Sequence, residues 1–455
     1  MDMFHHRIGV GMLTIDEKAA LAMKMLMDKG YEAYIIGGCV RDYLMGREPG
    51  DIDITTSAEP EEIKKIFKDF KTIETGIKHG TITVLIDTIP IEITTYRIDC
   101  GYSDGRHPDR VCFTKSLRED AARRDFTMNA IACSHNGDIV DYFKGAVDIS
   151  DKTIRAVGEP EVRFREDALR ILRAIRFSSV LGFQIEEKTK DAIFQCRELL
   201  KNISAERICA ELLKLLCGEK AGDTVKEYAD VLGVFIPELI PMKGFQQHNL
   251  YHKLDLLSHT CKVIDSIEPK PLLRLCALLH DIGKPKAFTT DSQGTGHFYK
   301  HSVYSADMSK DILRRLKLDR KTTERAVMLV EYHDMKIDAS PEAVKKALGR
   351  LSPEVFFQLV ELQRADSIAQ DPADSDKRGD YDRLGSMARG IIERGECFSK
   401  ESLAVSGDDL LRLGIKSGKR IGSLLDELLQ LVIEGKLENS RPILEGYIKE
   451  KQGGI

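Results

Sequence analysis

The chain has no tryptophan, no internal repeat and no low-complexity tract. No stretch approaches the ~18 uninterrupted apolar residues that a membrane-spanning helix needs, so a transmembrane protein is not expected. Residues 1–12 contain no long apolar run before a small-residue cleavage site, so no secretory signal is expected either. These absences direct attention to globular, non-membrane functions.

The ten cysteines are scattered, and none forms a Cys-x-x-Cys pair. In a chain of 455 residues this distribution is typical of reduced, mostly buried thiols, and it predicts a cytoplasmic protein. Neither sign of charge dominates, because the formal net charge is only −5. The charge balance therefore neither supports nor excludes binding to RNA, and any such contact must use local basic surface.

The pattern of apolar residues changes along the chain, from mixed to helical. Up to about residue 149, short β-like runs at 34–36, 51–55, 81–87 and 90–96 alternate with helical segments. From residue 161 onward almost every periodic segment is helical, and only the polar stretch 371–380 resembles a solvated linker. The predicted fold class is α+β, with a mixed-sheet head over 1–150 and helical regions over 151–249, 250–370 and 371–455.

Asp51 and Asp53 form an Asp-x-Asp pair in the second predicted strand. If both residues lie in the strand, their carboxylates project from one face, while Ile52 and Ile54 face the core. Two adjacent carboxylates repel each other unless a cation lies between them, so the pair could hold Mg²⁺ for nucleotidyl transfer. An exposed strand edge kept in solution by acids would show the same pattern. Glu92, on a neighbouring predicted strand, is a candidate third carboxylate.

Gly37 and Gly38 follow an apolar strand and precede a helix that begins near Val40. Glycines in this position let backbone N–H groups approach phosphate oxygens, and Arg41 adds a forked cation. An ordinary tight turn also explains two adjacent glycines. The position of the turn just upstream of the two aspartates favours the phosphate-binding interpretation.

Asp167, Arg170, Arg173 and Arg176 recur every three residues along a predicted helix. The pattern fits ion pairs on a solvated helix face, but it also fits recognition of a base. A carboxylate only accepts hydrogen bonds and a guanidinium only donates them. Adenine and cytosine present a donor beside an acceptor in the same order, whereas guanine and uracil present the reverse. One Asp/Arg pair could therefore accept ATP and CTP, and a mismatched buried edge costs roughly 1–3 kcal/mol.

Together, these segments resemble the class II tRNA nucleotidyltransferase and poly(A) polymerase family of the polymerase β superfamily, over residues 34 to about 217. The corresponding motifs are Gly37-Gly38-x-x-Arg41-Asp42, Asp51-x-Asp53, Arg123-Arg124-Asp125-x-x-x-Asn129 and Glu166-Asp167-x-x-Arg170-x-x-Arg173-x-x-Arg176-Phe177. Four motifs in this order are highly specific for the family.

The resemblance implies a role for each matching residue. It implies that Asp51 and Asp53 hold the catalytic Mg²⁺ ions and that Gly38 and Arg41 bind the triphosphate. Arg124 and Asp125 are expected to meet the ribose and phosphates. The base would be read by Asp167 and Arg170, in a pocket lined by Arg173 and Arg176. The segment from Thr95 to Pro108, including His107 where an arginine is frequent, resembles the family's full-length flexible loop.

A second set of histidines and aspartates occurs in the helical region. It comprises His259, His280, Asp281, His301, His333 and Asp366. The set resembles the metal-dependent HD phosphohydrolase domain, which would cover about 250–370. Such ligands suit Mn, Ni, Fe or Mg, and phosphatase or cyclic phosphodiesterase action on RNA 3′ ends would fit. A degenerate scaffold kept only for packing is the alternative. We interpret His297 as structural.

The leading hypothesis is a template-independent enzyme that builds or repairs the 3′-terminal CCA of tRNA from CTP and ATP. An enzyme that adds only A, and a poly(A) polymerase, remain alternatives within the family. A phosphohydrolase whose head merely binds nucleotide and a non-enzymatic RNA-binding protein are less compatible with the two aspartates. The expected partners are tRNA, CTP and ATP, with no membrane and no obligate protein partner.

Overall fold

The computed structural model of the protein describes residues 15–100, 110–248, 254–370, 375–416 and 418–453. The part of the flexible-loop segment after residue 100 and residues 1–12 lie outside these ranges. The chain divides into two compact units between Ile240 and Pro241, close to the boundary expected at 249/250. Within the described residues, no helix is both long enough and apolar enough to cross a bilayer.

The first unit begins with a mixed sheet whose strands alternate with short helices. Its first elements are α1 (Glu17–Met27), β1 (Ala33–Ile36), α2 (Gly38–Leu44), β2 (Asp53–Thr56), α3 (Pro60–Ile66), β3 (Lys71–Ile73), β4 (Thr81–Ile86) and β5 (Ile89–Thr95). They are followed by β6 (Arg97–Cys100), β7 (Arg110–Phe113), α4 (Leu117–Ala122), β8 (Ile131–Cys133), β9 (Ile139–Asp141), α5 (Gly145–Ser150) and β10 (Thr153–Ile154). The expected α+β class is confirmed.

Seven of these strands form one sheet in the order β3-β4-β5-β2-β1-β8-β9. The central strands β2 and β5 run parallel, and the neighbouring pairs are antiparallel. Burial alternates along β4, which is typical of a sheet packed on one side. The carboxylate of Asp53 therefore has a fixed neighbour across the β2–β5 pairing.

The first unit continues as helices, as the apolar periodicity predicts. The elements are α6 (Pro160–Glu166), α7 (Leu169–Leu181), β11 (Gln184–Ile185), α8 (Glu187–Cys196), α9 (Ala205–Leu216), α10 (Ala221–Glu227) and α11 (Ala229–Leu232). One side of α7 is buried through Leu172, Ile175 and other apolar residues, so its arginines share the remaining side.

The second unit is almost entirely helical. Its elements are α12 (Leu256–Ser266), α13 (Pro271–Leu279), α14 (Lys284–Ala287), β12 (Thr289–Thr290), β13 (Gly296–His297), α15 (His301–Arg315), α16 (Arg320–Tyr332), α17 (Pro341–Leu351) and α18 (Pro353–Gln370). The last elements are α19 (Ser375–Glu393), α20 (Gly407–Arg412), α21 (Gly418–Ile433) and α22 (Arg441–Gly453). Because α19 already begins at Ser375, the linker predicted over 371–380 is wrong from that residue onward. Residues 371–374 lie outside the described ranges.

Candidate active site and candidate metal centre

The two aspartates of the Asp-x-Asp motif have different environments. Asp53 is the first residue of β2 and pairs in register with Glu92 of β5. Asp51 is exposed and lies in a bend before the strand, so the prediction that both acids occupy one strand is wrong. The strand starts late because Pro49 and Gly50 come immediately before this segment, and both residues disfavour regular strand. The two carboxylates that share one face of the sheet are therefore those of Asp53 and Glu92, on the adjacent strands β2 and β5.

Asp53 is held in a position where its negative charge is poorly compensated. Burial raises the pKa of Asp53, and the negative charges of Glu92 and Asp51 raise it further, against the opposing effect of Arg124. A small cavity of about 170 Å³ includes Asp53, Glu92 and Arg124 in its lining. An acid destabilised in this way gains from a nearby divalent cation, so the residues fit a metal-binding role.

The glycine turn brings backbone and cations towards Asp53. Gly37 has a φ of 89°, and α2 begins at Gly38. A Cβ on Gly37 would lie 3.1 Å from Nη1 of Arg124 and 3.9 Å from Oδ2 of Asp53. The positive φ therefore belongs to Gly37 rather than to Gly38, and a side chain at Gly37 would force the guanidinium of Arg124 to move.

Asp120, which the sequence analysis missed, is a fully buried carboxylate that holds the neighbouring arginines. It accepts hydrogen bonds from Nε of Arg123 at 2.9 Å, from Nη2 of Arg124 at 3.4 Å and from Oγ1 of Thr55 at 3.1 Å. Although burial raises the pKa of Asp120, the two guanidinium groups hold it below its usual value. The i,i+3 and i,i+4 spacing from Asp120 to Arg123 and Arg124 is the signal that could have found it.

Asp125 connects the sheet to the arginine-bearing helix. Its Oδ1 accepts a hydrogen bond from Nδ2 of Asn129 at 3.0 Å, and its Oδ2 accepts one from Nε of Arg173 at 2.8 Å. Nη1 of Arg41 donates to Oδ1 of Asn129 at 2.8 Å. Burial raises the pKa of Asp125, but Arg173 and Asn129 together hold it well below its usual value. Three predicted site residues, Arg41, Asp125 and Arg173, thus form one network.

Asp167 and Arg170 lie near each other in the chain but have different partners. Asp167 lies at the break between α6 and α7 with φ −140°, so its predicted placement inside the helix is wrong. The break is stabilised because Oδ1 of Asp167 accepts a hydrogen bond from the backbone N–H of Leu169 at 3.1 Å. Oδ2 of Asp167 lies 2.9 Å from Nη2 of Arg207 on α9. Arg207 is a further residue that the sequence analysis missed, since nothing in its own segment marks it.

The guanidinium of Arg170 is largely buried. It pairs with Oε2 of Glu166 at 2.7 Å and donates to the carbonyl oxygens of Arg163 and Arg123. These contacts fix its orientation without using the carboxylate of Asp167. Both members of the predicted base-reading pair are therefore held by other residues.

Phe177 is surrounded by cations. The guanidinium carbons of Arg176, Arg41 and Arg173 lie 3.8, 5.1 and 5.7 Å from its ring centroid. Nε of Arg176 also lies 2.6 Å from Oε2 of Glu211. Such positions over an aromatic face stabilise guanidinium groups. The structure thus brings Arg41, Arg173 and Arg176 together around one ring.

In the second unit, all six predicted metal ligands meet at one centre. They come from five separate helices or helix ends: α12 (His259), the end of α13 (His280 and Asp281), the start of α15 (His301), the end of α16 (His333) and α18 (Asp366). Nε2 of His259 lies 2.9 Å from Oδ1 of Asp366, and Nε2 of His280 lies 3.2 Å from Oδ2 of Asp281. Nε2 of His301 lies 3.4 Å from Oδ1 of Asp281. Two overlapping groups have ligand-compatible spacing: His259, His280 and Asp281, and Asp281, His301 and His333.

The hydrogen bonds of three histidines define which ring nitrogen faces the centre. Nδ1 of His280, of His301 and of His333 lies 2.8, 3.0 and 2.7 Å from a backbone carbonyl oxygen. Because a carbonyl only accepts, each Nδ1 carries the proton, and each Nε2 presents a lone pair in the neutral ring. Nε2 of His301 and Nε2 of His333 are only 3.2 Å apart. Facing acceptors of this kind need protons or a metal ion between them.

Buried polar atoms at this centre support a metal ion. Nε2 of His280 and Oδ1 of Asp281 are buried and make no hydrogen bond of normal geometry. Burial lowers the pKa of His301 against the opposing effect of Asp281. Burial opposes a charge on His280 too, but Asp281 and Asp366 raise the pKa of His280 above its usual value. The unpartnered buried atoms and the two groups of ligand-compatible spacing therefore fit a divalent metal ion.

Models of known protein families match residues in both compact units of the chain. The family model of the Poly A polymerase head domain matches residues 33–155, and that of the RNA and SrmB-binding site of polymerase A matches residues 182–241. The model of tRNA nucleotidyltransferase domain 2 matches residues 297–448, across the boundary expected at 370/371. The head and its acidic site thus define a nucleotidyltransferase of the poly(A) polymerase type, a class that depends on divalent metal ions.

Similarity over almost the whole chain identifies the family more closely. The CCA-adding enzyme of Lactobacillus helveticus is 36% identical, over 95% of this chain and 96% of that protein. The CCA-adding enzyme of Enterococcus faecalis is 34% identical, over 96% of each chain. The crystal structure of the Bacillus stearothermophilus CCA-adding enzyme in complex with CTP matches with a TM-score of 0.74 and 31% identity, over 96% of this chain and 98% of that one. The chain belongs to the family of CCA-adding enzymes.

Proposed function

We propose that the protein adds or repairs the 3′-terminal CCA of tRNA, using CTP and ATP. The tRNA 3′-hydroxyl attacks the α-phosphorus of the nucleotide, a new P–O ester bond forms, and pyrophosphate leaves. Asp51 and Asp53 would hold divalent ions, which we propose to be Mg²⁺, and these ions would supply Lewis-acid chemistry. The observation that carries the proposal is the half-buried Asp53, which pairs in register with Glu92 on the adjacent strand and lies beside the Gly37 turn.

We further propose how the chain's own residues position the nucleotide. The backbone at Gly38 and the guanidinium of Arg41 bind the triphosphate at the start of α2. Arg124 and Asp125 contact the phosphates and ribose. The network that joins Arg41, Asn129 and Asp125 supports this role, because it fixes these groups relative to one another before the nucleotide arrives.

Base selection is assigned to Asp167 and Arg170, with Arg173 and Arg176 lining the nucleotide pocket. Arg207 orients the acceptor and Glu166 orients the donor, which supports a rigid pair of recognition groups. Neither carboxylate nor guanidinium can reverse its hydrogen-bonding role. A site of this kind accepts the edges of cytosine and adenine and leaves buried groups unmatched against guanine and uracil.

Labelled-nucleotide assays test this function. The protein is incubated with tRNA that lacks CCA, or with tRNA that ends in CC, together with radiolabelled CTP or ATP. We expect incorporation of C into the first substrate and of a single A into the second. Incorporation of A alone would indicate the A-adding alternative, and long A tracts would indicate the poly(A) polymerase alternative.

A second function, metal-dependent phosphoester hydrolysis in the second unit, is favoured by the converging His and Asp side chains. These side chains would hold a divalent ion (Mn, Ni, Fe or Mg), which would supply a Lewis acid for hydrolysis of a phosphoester to a phosphate and an alcohol. In the protein, the protonated Nδ1 atoms keep the Nε2 atoms aimed at the centre. Hydrolysis of a nucleoside 2′,3′-cyclic phosphate is the test: His280→Ala should abolish it and leave nucleotide incorporation unchanged.

We also propose that the protein works in the cytoplasm. Among the cysteines with described side chains, none forms a disulfide, which supports a reducing compartment.

We further propose that the chain has four parts, over 1–150, 151–249, 250–370 and 371–455. The division of the chain near residue 240 supports the boundary between the second and third parts.

A further inference from the structure

A single side-chain amide connects two groups of the proposed nucleotide site. Asn129 ends the short helix Thr127–Asn129, shortly after Asp125, and only 6% of Asn129 is exposed. Its Oδ1 accepts a hydrogen bond from Nη1 of Arg41 at 2.8 Å, and its Nδ2 donates one to Oδ1 of Asp125 at 3.0 Å. Because one partner only donates and the other only accepts, the amide has a single favourable orientation.

The chemistry of the two partners explains why an amide suits this position. The guanidinium of Arg41 and the carboxylate of Asp125 are complementary, and in contact they would form a direct ion pair with up to two parallel hydrogen bonds. Among the ion pairs between described residues, none joins Arg41 to Asp125. Arg41 pairs instead with Asp42, at 2.7 Å between Nη2 and Oδ1. The amide of Asn129 therefore separates two groups that would otherwise bind each other.

The other contacts of Asp125 fix the plane of its carboxylate. Oδ2 lies 2.8 Å from Nε and 2.6 Å from Nη2 of Arg173. Oδ1 accepts a second hydrogen bond, from the backbone N–H of Phe126 at 2.8 Å. The carboxylate is thus held from the arginine side by Arg173 and from the opposite oxygen by Asn129. Loss of either contact leaves it free to turn.

We propose that Asn129 is a positioning residue through which the enzyme selects ribonucleotides over 2′-deoxyribonucleotides. The inference rests on the proposed function, in which Asp125 contacts the ribose and Arg41 the triphosphate. Without the amide, Arg41 pairs directly with Asp125, and that ion pair takes up the oxygens and N–H groups that the nucleotide would contact. A site built to accept a hydrogen bond from a substrate hydroxyl discriminates against the analogue that lacks it.

A buried amide could also serve only the stability of its turn, and a neighbouring residue provides the control. Thr127 lies in the same short helix and is also buried. Its Oγ1 donates to Oδ2 of Asp148 in α5 at 2.6 Å, instead of to Arg41 or Asp125. Thr127→Val therefore removes a buried hydrogen bond from the same turn without touching the proposed nucleotide contacts.

The test compares two nucleotides on one preparation of the full-length protein. The ratio of kcat/KM for CTP to that for 2′-deoxy-CTP is measured with tRNA that lacks CCA, so the folded fraction cancels. Asn129→Leu removes both hydrogen bonds. Asn129→Asp keeps the acceptor for Arg41 but places a second carboxylate against Asp125, which repels it. We expect each of these variants to lower the ratio about 10- to 100-fold, and Thr127→Val to preserve it.

A double variant shows whether Asn129 acts through Asp125. Asp125→Asn alone should lower the ratio, and addition of Asn129→Leu should lower it no further. A further fall in the double variant, an unchanged ratio in Asn129→Asp, an equal fall in Thr127→Val, or a parent without preference for CTP over 2′-deoxy-CTP would overturn the inference. A parent that incorporates no C at all would instead reject the proposed function, and the inference with it.

Discussion

Among single residues, we expect Asp53 to have the central role in catalysis. Asp53→Asn keeps the size of the side chain but removes the charge that attracts divalent ions. We expect nucleotide incorporation to fall about a thousandfold or more, with tRNA binding retained. The measurement is single-turnover incorporation of labelled CTP, with a gel-shift assay for tRNA. Asp69→Asn, at an exposed position, is the control and should behave like the parent.

Base selection gives a second prediction about single residues. Arg170→Ala should lower the preference for CTP over UTP about 10- to 100-fold, because we propose that its buried guanidinium is the donor that rejects uracil. Arg207→Ala should lower it less, since Arg207 acts by orienting Asp167. The preference is measured as a ratio of kcat/KM values. Unchanged rejection of UTP by Arg170→Ala would remove base reading from that residue.

Motif residues could be predicted from the sequence because each of them carries its chemistry within a short segment. Partners that come from a distant segment could not. Arg207 reaches Asp167 from a different helix, so only the fold reveals this contact. Asp120 on α4, by contrast, is close in sequence to Arg123 and Arg124, and its spacing from them is visible in the sequence. At the candidate metal centre, the ligand residues could be predicted from the sequence. The Nδ1 contacts that orient their rings could not, because they depend on where the helices end.

At the scale of elements, the glycine turn before α2 offers a controlled test. Gly37→Ala and Gly46→Ala each place a side chain at positive φ, 89° and 69°, and each should lose about 1–2 kcal/mol of stability. Only at Gly37 does the new Cβ approach Nη1 of Arg124, at 3.1 Å, whereas nothing lies within 4 Å at Gly46. We expect incorporation to fall about 100-fold for Gly37→Ala and to stay near the parent value for Gly46→Ala.

Equal activities of the two glycine variants, corrected for the folded fraction by urea denaturation, would contradict the role assigned to this turn.

A buried thiol on helix α13, that of Cys276, should make the stability of the protein depend on pH. Burial raises the pKa of the Cys276 thiol to about 12, against about 9 in the unfolded chain. The unfolded state therefore loses its proton first, and the stability from this thiol, complete below pH 9, is lost as the pH rises towards 12. Between pH 8 and 10.5 the parent should lose roughly 2 kcal/mol more than Cys276→Ala.

Urea denaturation at the two pH values measures this difference. Cys112→Ala is the control, because Cys112 is only half-buried, in β7. A loss in Cys276→Ala as large as in the parent would contradict the assignment.

The errors in element boundaries have physical causes. Alternating apolar residues indicated a strand from residue 51, but Pro49 and Gly50 delay its start to Asp53. Three-residue spacing placed Asp167 on a helix, but its side chain caps the backbone of Leu169 and separates two helices. Periodicity locates elements well, and local hydrogen bonds then decide where they end.

At the scale of the whole molecule, the two candidate sites lie in different compact units. Asp53→Asn should remove nucleotide incorporation and spare metal-dependent hydrolysis, and Asp281→Asn should do the reverse. Each variant is assayed for both activities on the same preparation. Loss of both activities in either variant, with folding intact by circular dichroism, would show that the units do not work separately.

The most direct test of the central claim is to locate the nucleotide. Crystals of the protein soaked with CTP or with ATP, each with Mg²⁺, would show where the triphosphate and base bind. We expect the triphosphate beside Asp53 and Arg41, with cytosine and adenine both facing Asp167 and Arg170. A nucleotide bound elsewhere, or a base that contacts neither Asp167 nor Arg170, would contradict it.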